Sequence, residues 1–177
     1  IDICEGDTYQ LNASTGGLGN CTFSWSPPNK VFPSHTLQIP FVYGDTTRVY
    51  TVVITSTAGC TDTDEVKVIV HPKPVATAHA DSIVCRGTPV ELNGSSTHPS
   101  SYFWYPSNVI ANPFNDTTTA IINGGTTFTL VVVSAYNCKD TDRIHVTVPL
   151  NPIANAGPDT SICIGDTIQL KGSGGGA

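Results

Sequence analysis

The chain has 177 residues, a formal net charge of -6 and charged side chains at only 12% of positions, with 16 glycines, 13 prolines and no methionine. It offers no Lys/Arg cluster to neutralise phosphates, so charge excludes nucleic acid and anionic membrane as partners. No apolar run approaches the ~18 residues of a membrane span, which excludes membrane insertion by a helix.

No apolar pattern repeats every 3.6 residues, so short strands are expected and no helix of consequence. The first strand covers residues 8–12, behind a Cys4-x-Gly6-Asp7 turn, with Tyr9 and Leu11 on one face. A Gly-rich loop, residues 14–20, leads to Cys21. Phe23 and Trp25 alternate next and stop at Ser26-Pro27-Pro28, because proline cannot donate to a ladder. Weaker strands are expected over residues 31–40 and 41–47. Residues 48–55, RVYTVVIT, are rich in β-branched side chains and read as the central strand. Ala58-Gly59-Cys60 turns the chain into residues 65–70, where Val66, Val68 and Val70 share a buried face before His71-Pro72-Lys73-Pro74.

The plan then repeats. Cys85 follows Cys4 by 81 positions (85 minus 4), Trp104 follows Trp25 by 79 (104 minus 25), and Cys138 follows Cys60 by 78 (138 minus 60). Length changes are therefore confined to loops. Cys163, Gly165, Leu170 and Gly172 open a third copy 78 positions after Cys85, Gly87, Leu92 and Gly94 (163 minus 85). A tandem array results, with modules at 1–72 (its first strand truncated) and 73–150 and the opening strands of a third at 151–177. The pattern starts and stops in mid-phrase, as an excerpt of a longer chain would. The run 172–176 lacks the Lys of a phosphate loop and reads as the start of a flexible loop.

About seven short strands per ~80 residues, with turn signals every 8 to 12, describe an all-β fold of tandem antiparallel Ig-like β-sandwich modules. Trp25 and Trp104 would fill the space between sheets. At the positions where antibody domains carry their inter-sheet cysteines stand Leu11/Leu92 and Val53/Val131, so hydrophobic packing replaces that bridge.

Six cysteines placed by the repeat, and not as CxxC pairs, read as disulfides of an exported protein. If the Cys-x-Gly turn and the turn before Cys60 or Cys138 lie at opposite poles of a module, strands of about seven residues at ~3.3 Å rise separate them by roughly 20 Å. A disulfide needs Cα atoms within ~7 Å, so on that topology the bond open to a head-to-tail array is an inter-module one, Cys4 to Cys138, and it stands level with the next scheme. Pairing inside modules, Cys4 to Cys60 and Cys85 to Cys138, is the simpler count, and Cys21 to Cys60 is a third possibility. Cys163 has no partner in any of these schemes.

Asp62-Thr63-Asp64 and Asp140-Thr141-Asp142 place paired carboxylates two residues apart, a spacing that suits a calcium site or, with no Asp-x-Asp-x-Asp-Gly loop following, a solvated strand. No other cofactor is indicated. Trp25, Trp104, Tyr102, Phe103 and Tyr105 are candidates for a carbohydrate-binding platform, against the core reading of the tryptophans. His35, His71, His79, His98 and His145 are scattered, and no nucleophile elbow or Ser/His/Asp spacing is present, so no enzyme activity is expected.

The phrases AGPDTSICIGDTIQL, WSP, RVYTVVIT followed by AGC, and DEVKVIVHPKP resemble the PKD-like and Ig-like repeats strung along giant surface proteins of Bacteroidota, including the gliding-motility adhesins. The resemblance implies export by type IX secretion, a place at the cell surface, and a role as stalk, filament or adhesin. Its partners would be neighbouring modules, copies of itself, surface glycans or other cells. It also implies O-glycosylation at Asp-Ser/Thr-apolar motifs, for which Thr46, Ser82, Thr117 and Thr167 are candidates, and it supplies no catalytic residues.

Overall fold

The computed structural model describes residues 1–17, 19–80 and 83–175. The all-β expectation holds: the described residues form strands, with 3-10 turns at Pro28–Lys30 and Ser107–Val109 and no α-helix. Two compact units are present. The first comprises Ile1–Pro74 with His98–Ser100 and Val133–Asp140, and the second comprises Val75–Thr97, Ser101–Val132 and the chain from Thr141 onward.

In the first unit the strands are β1 (Asp2–Cys4), β2 (Thr8–Gln10), β3 (Thr22–Ser26), β4 (Val31–Phe32), β5 (Phe41–Tyr43), β6 (Arg48–Thr55) and β7 (Thr61–His71). One sheet has the order β1-β7-β6-β3 and the other β2-β5-β4. All pairs are antiparallel except β1 with β7, which run parallel from Asp2↔Ile69 to Cys4↔His71. RVYTVVIT is central in its sheet because it pairs on both sides, with Trp25 opposite Val52 and Val66 opposite Tyr50. Leu11, Trp25, Val42, Tyr50, Val52 and Val68 form the core between the sheets.

The second unit uses β8 (Ala76–Ala80), β9 (Pro89–Ser96), β10 (Ser101–Tyr105), β11 (Thr117–Ile121), β12 (Thr126–Val133) and β13 (Lys139–Val146) in sheets β10-β12-β13 and β11-β9-β8. Val90, Leu92, Trp104, Phe128, Leu130 and Val132 lie at its centre. Trp104 is 0% exposed and Trp25 3%. Each indole finds a carbonyl, Leu37 for Trp25 at 2.9 Å and Asn115 for Trp104 at 3.1 Å, so burial leaves no orphan donor.

Three expectations need correction. Val53 and Val131 do not face the core; Tyr50, Val52, Phe128 and Leu130 do, because the side-chain period of two puts the even residues inward. Tyr9 is 38% exposed although it alternates with buried Leu11. The run after Gly172 is not a loop: Ser173–Gly175 forms β15 and pairs with β14 (Ile153–Asn155). Gly176 lies outside the described residues. The register Ala154↔Gly174 is that of Ala76↔Ser96 shifted by 78 (154 minus 76), so the third copy begins with the same strand pairing as the second.

The recurring Cys-x-Gly phrase is a turn. Asp7, Thr88 and Asp166 each donate their N–H to the carbonyl of Cys4, Cys85 and Cys163, and Gly6, Gly87 and Gly165 hold φ of 81°, 76° and 97°. A positive φ at the third turn position is the type II arrangement, which only glycine adopts without strain. Gly94 is needed for a different reason. A Cβ there would stand 2.9 Å from Leu130 Cδ2 and 3.1 Å from Trp104 Cζ2. Gly94→Ala is therefore expected to destabilise the second unit by about 1–3 kcal/mol through overpacking; an unchanged thermal melting temperature would contradict this packing.

Candidate functional site

The first unit holds a cluster built around one covalent bond. Cys4 closes β1, and Cys138 ends the turn between β12 and β13; their Cα atoms are 5.6 Å apart and their sulfurs are bonded, 134 residues apart in sequence. The pairings Cys4 to Cys60 and Cys85 to Cys138 are thereby overturned. Cys21, Cys60, Cys85 and Cys163 are free, so the Cys21 to Cys60 bridge is absent too. Both of those thiols line one cleft of the first unit.

Local turn chemistry presents Cys138. Ser134 donates its N–H to the Cys138 carbonyl, Asn137 donates to the Ser134 carbonyl, and Ser134 Oγ accepts the Cys138 N–H at 3.2 Å. The same three bonds recur at Ser56, Gly59 and Cys60. Gly59 has φ of 83° and Asn137 of 63°, which explains the substitution: asparagine is among the few residues that tolerate the left-handed region. Cys138 is 1% exposed.

Around the disulfide, His71 stacks on Tyr136 with ring centroids 3.7 Å apart and planes 11° from parallel. His71 Nε2 also lies 2.7 Å from Asp2 Oδ1. That hydrogen bond holds the Asp2 carboxyl below its ordinary value, with the charges of His71 and the N-terminus adding to it. Lys73 donates to Asp7 Oδ1 at 2.7 Å, which raises the lysine. Asp2 and both members of the Lys73–Asp7 pair are open to water, so these ion pairs contribute little by themselves.

The remaining sequence candidates are dispersed. Asp62 and Asp64 accept N–H groups of their own strand, from Thr63 and Glu65. Asp142 accepts Arg143 N–H through Oδ1 and Ala78 N–H through Oδ2, and Asp140 lies near the start of β13, in the part assigned to the first unit. Among the described residues no group of three or more His, Cys, Asp or Glu side chains could hold a metal ion. Thr46 is exposed but engaged, donating to Asp45 and accepting from Arg48. Thr117 is exposed and bonds Asn93; Thr167 is exposed; Ser82 lies outside the described residues. With both tryptophans buried and Tyr102 half-buried, Tyr105 is the exposed aromatic of that strand, and Phe114 is exposed nearby. Phe103 touches both, at 4.4 and 5.2 Å. Phe114 escaped the sequence reading because it sits in a loop with no alternating pattern.

Residues 72–152 match a family model described as "Ig-like domain CHU_C associated", so the second repeat is an Ig-like repeat. No curated protein matches the sequence. Among solved structures, the chain is similar to the insect immune protein hemolin, with 11% identity, a TM-score of 0.40, and coverage of 84% of this chain and 44% of that one. It is similar to the C-terminal 282-residue fragment of intimin in complex with the intimin-binding domain of its translocated receptor, at 15% identity and TM-score 0.42, covering 84% and 60%. It is also similar to the N-terminal four Ig domains of Dscam1 isoform 1.9, at 12% identity and TM-score 0.34, covering 84% and 42%. This chain thus spans less than two thirds of the length of each. Among the described residues no helix is long and apolar enough to cross a membrane, which says nothing of a β-barrel.

Two outcomes follow from the geometry. Replacing Cys4 by Ser is expected to lower unfolding free energy by about 2–5 kcal/mol, because the open chain regains the entropy of a long loop; denaturant melts of the oxidised protein measure this, and an unchanged midpoint would refute it. Hydrogen bonds from Ala78 and Arg143 hold the Asp142 carboxyl below its ordinary value. A depressed folded pKa contributes stability above the unfolded value, ~3.9, that is lost as pH falls through the folded one. Asp142→Ala should therefore cost about 1 kcal/mol at neutral pH, with the difference from wild type shrinking near pH ~2.

Proposed function

We propose that the chain is a tension-resisting segment of a non-enzymatic, extracellular array, forming the stalk or filament of a bacterial surface adhesin. The observation that carries this reading is the Cys4–Cys138 bond. A pull applied at the two ends of the chain passes from Cys4 to Cys138 through sulfur, so residues 5–137 cannot be drawn out while the bond holds. Both tryptophans and nearly all core residues of both units lie inside that protected loop. A structural disulfide also belongs to an oxidising compartment. An Ig-like repeat is a scaffold that generally carries no catalytic machinery.

The resemblance to surface repeats of Bacteroidota supports export by the type IX route, a link to gliding motility, neighbouring modules or copies of itself as partners, and O-glycosylation at Thr46, Thr117 or Thr167. A carbohydrate-binding role is the second reading, favoured by the accessible cluster of Phe103, Tyr105 and Phe114. The rings meet at 64° and 59° and so offer edges instead of a flat face to a sugar. Saturable glycan-array binding abolished by Tyr105→Ala would select it.

Single-molecule stretching between the termini tests the first reading. The oxidised chain should extend only by its residues outside the loop, and reduction should release a further contour length of about 440–480 Å for the 134-residue separation. Equal extension with and without reductant would rule out a force path through the disulfide.

A further inference from the structure

The outer face of the sheet β2-β5-β4 in the first unit is apolar where a solvated face is expected. Pro40 and Val42 are buried, so Ile39, Phe41 and Tyr43, which alternate with them, point to solvent. Phe32 of β4 stands opposite Phe41, and the two rings stack with centroids 5.9 Å apart and planes 23° from parallel. All four side chains are between 37% and 51% exposed. On the other side of β5, Thr8 stands opposite Tyr43 and Gln10 opposite Phe41. Both are exposed, and neither side chain has a hydrogen bond among the described residues.

The fold does not require this face. Thr117, Thr119 and Ile121 follow Ile39, Phe41 and Tyr43 by 78 positions (117 minus 39), and Ala111 follows Phe32 by 79 (111 minus 32). The ladders give the same equivalence: Val42 pairs with Val31 as Ala120 pairs with Ile110. Glu91 stands opposite Thr119 where Gln10 stands opposite Phe41. The second unit thus covers the same sheet mostly with threonine, alanine and a carboxylate, and it still builds its core on the same plan. Contiguous exposed apolar side chains mark a binding surface, whereas single ones need no explanation.

Size and charge select the ligand. From Ile39 to Tyr43 the face runs four residue steps (43 minus 39) of ~3.3 Å, and from β4 to β2 it spans two strand spacings of ~4.8 Å, a footprint of about 130 Å². A stable protein interface buries about 800 Å² on each partner, so the face suits a narrow ligand and not a protein. No Lys, Arg, Asp or Glu occurs in residues 8–14 or 31–43, so nothing on these strands would recognise a charged group.

What remains is a neutral molecule with an apolar face and hydrogen-bonding groups along its rim. Pyranose rings have that form, with C–H groups on their faces and hydroxyls around the edge. The electron-rich faces of Phe32 and Phe41 attract polarised C–H groups, while the Gln10 amide and the Thr8 hydroxyl offer donors and acceptors to the hydroxyls. We infer that this face binds a neutral linear oligosaccharide, with Phe32, Phe41 and Tyr43 as its platform and Thr8 and Gln10 alongside. The inference shares with the carbohydrate reading above only the class of ligand, since the Phe103 cluster takes no part in it.

The test titrates the full oxidised chain with cellohexaose, xylohexaose and mannohexaose and follows amide chemical shifts. At least one sugar should bind saturably with a dissociation constant of about 0.01–1 mM, moving amides along residues 8–10, 31–32 and 39–43. Phe32→Ala combined with Phe41→Thr installs the side chains that the second unit carries at these places; it should lower affinity about tenfold or more with an unchanged melting temperature. Gln10→Ala should lower it about fivefold, as loss of one neutral hydrogen bond requires, and Tyr105→Ala should leave it unchanged. Absence of saturable shifts with all three sugars up to ~10 mM overturns the inference. Shifts confined to residues 102–114 and lost in Tyr105→Ala overturn it in favour of the other cluster. Concentration-dependent sedimentation abolished by the double variant, with no sugar bound, overturns it in favour of a second copy on this face.

Discussion

The two units depend on the burial of one tryptophan between two sheets. In each, the strand that carries it is pinned at three points: the main-chain N–H donates to the carbonyl of His35 or Pro113, the indole N–H donates to Leu37 or Asn115, and the ring faces the central strand. Burying so large a side chain with its polar atom satisfied supplies both the hydrophobic contribution and the register of the sheet. No cysteine of either core bridges the sheets. The positions of such a bridge are taken by buried Leu11 and Leu92 facing Val52 and Leu130.

With cohesion left to packing, the cysteines occupy turns. Each sits at a residue whose neighbour has left-handed backbone, Gly6, Gly87 or Gly165 two positions after one set and Gly59 or Asn137 just before the other. These turns close by their own hydrogen bonds, so the thiol is held where a partner can reach it and its loss need not disturb a core. The disulfide at Cys4 therefore adds a covalent tie to a fold held by other means, with Cys138 Sγ 4.0 Å from the carbonyls of His71 and Tyr136.

The repeats share a plan down to single side chains. Asp64 and Asp142 are the same residue type in the same repeat position, and each caps its own strand by accepting the N–H of the next residue, Glu65 or Arg143. In the second unit the other carboxylate oxygen also holds Ala78 of β8, so one side chain ties an edge strand to the opposite sheet.

Sequence alone determined the all-β class, the repeat and the strands that carry each tryptophan. Alternation, β-branched runs and Gly or Pro punctuation act locally, and a period of about 80 residues shows itself by simple shifting. The positive φ behind Cys-x-Gly was legible because only glycine fits it. The inward face of β6 was not: Val52 and Val53 are alike in composition, and only packing against Trp25 decides which points in. Nor did spacing select the cysteine pairing, since Cys60 and Cys138 occupy equivalent turns and the choice between them depends on which turn reaches Cys4 in space. Local pattern specifies what a segment can pair with, and tertiary structure decides whether anything does.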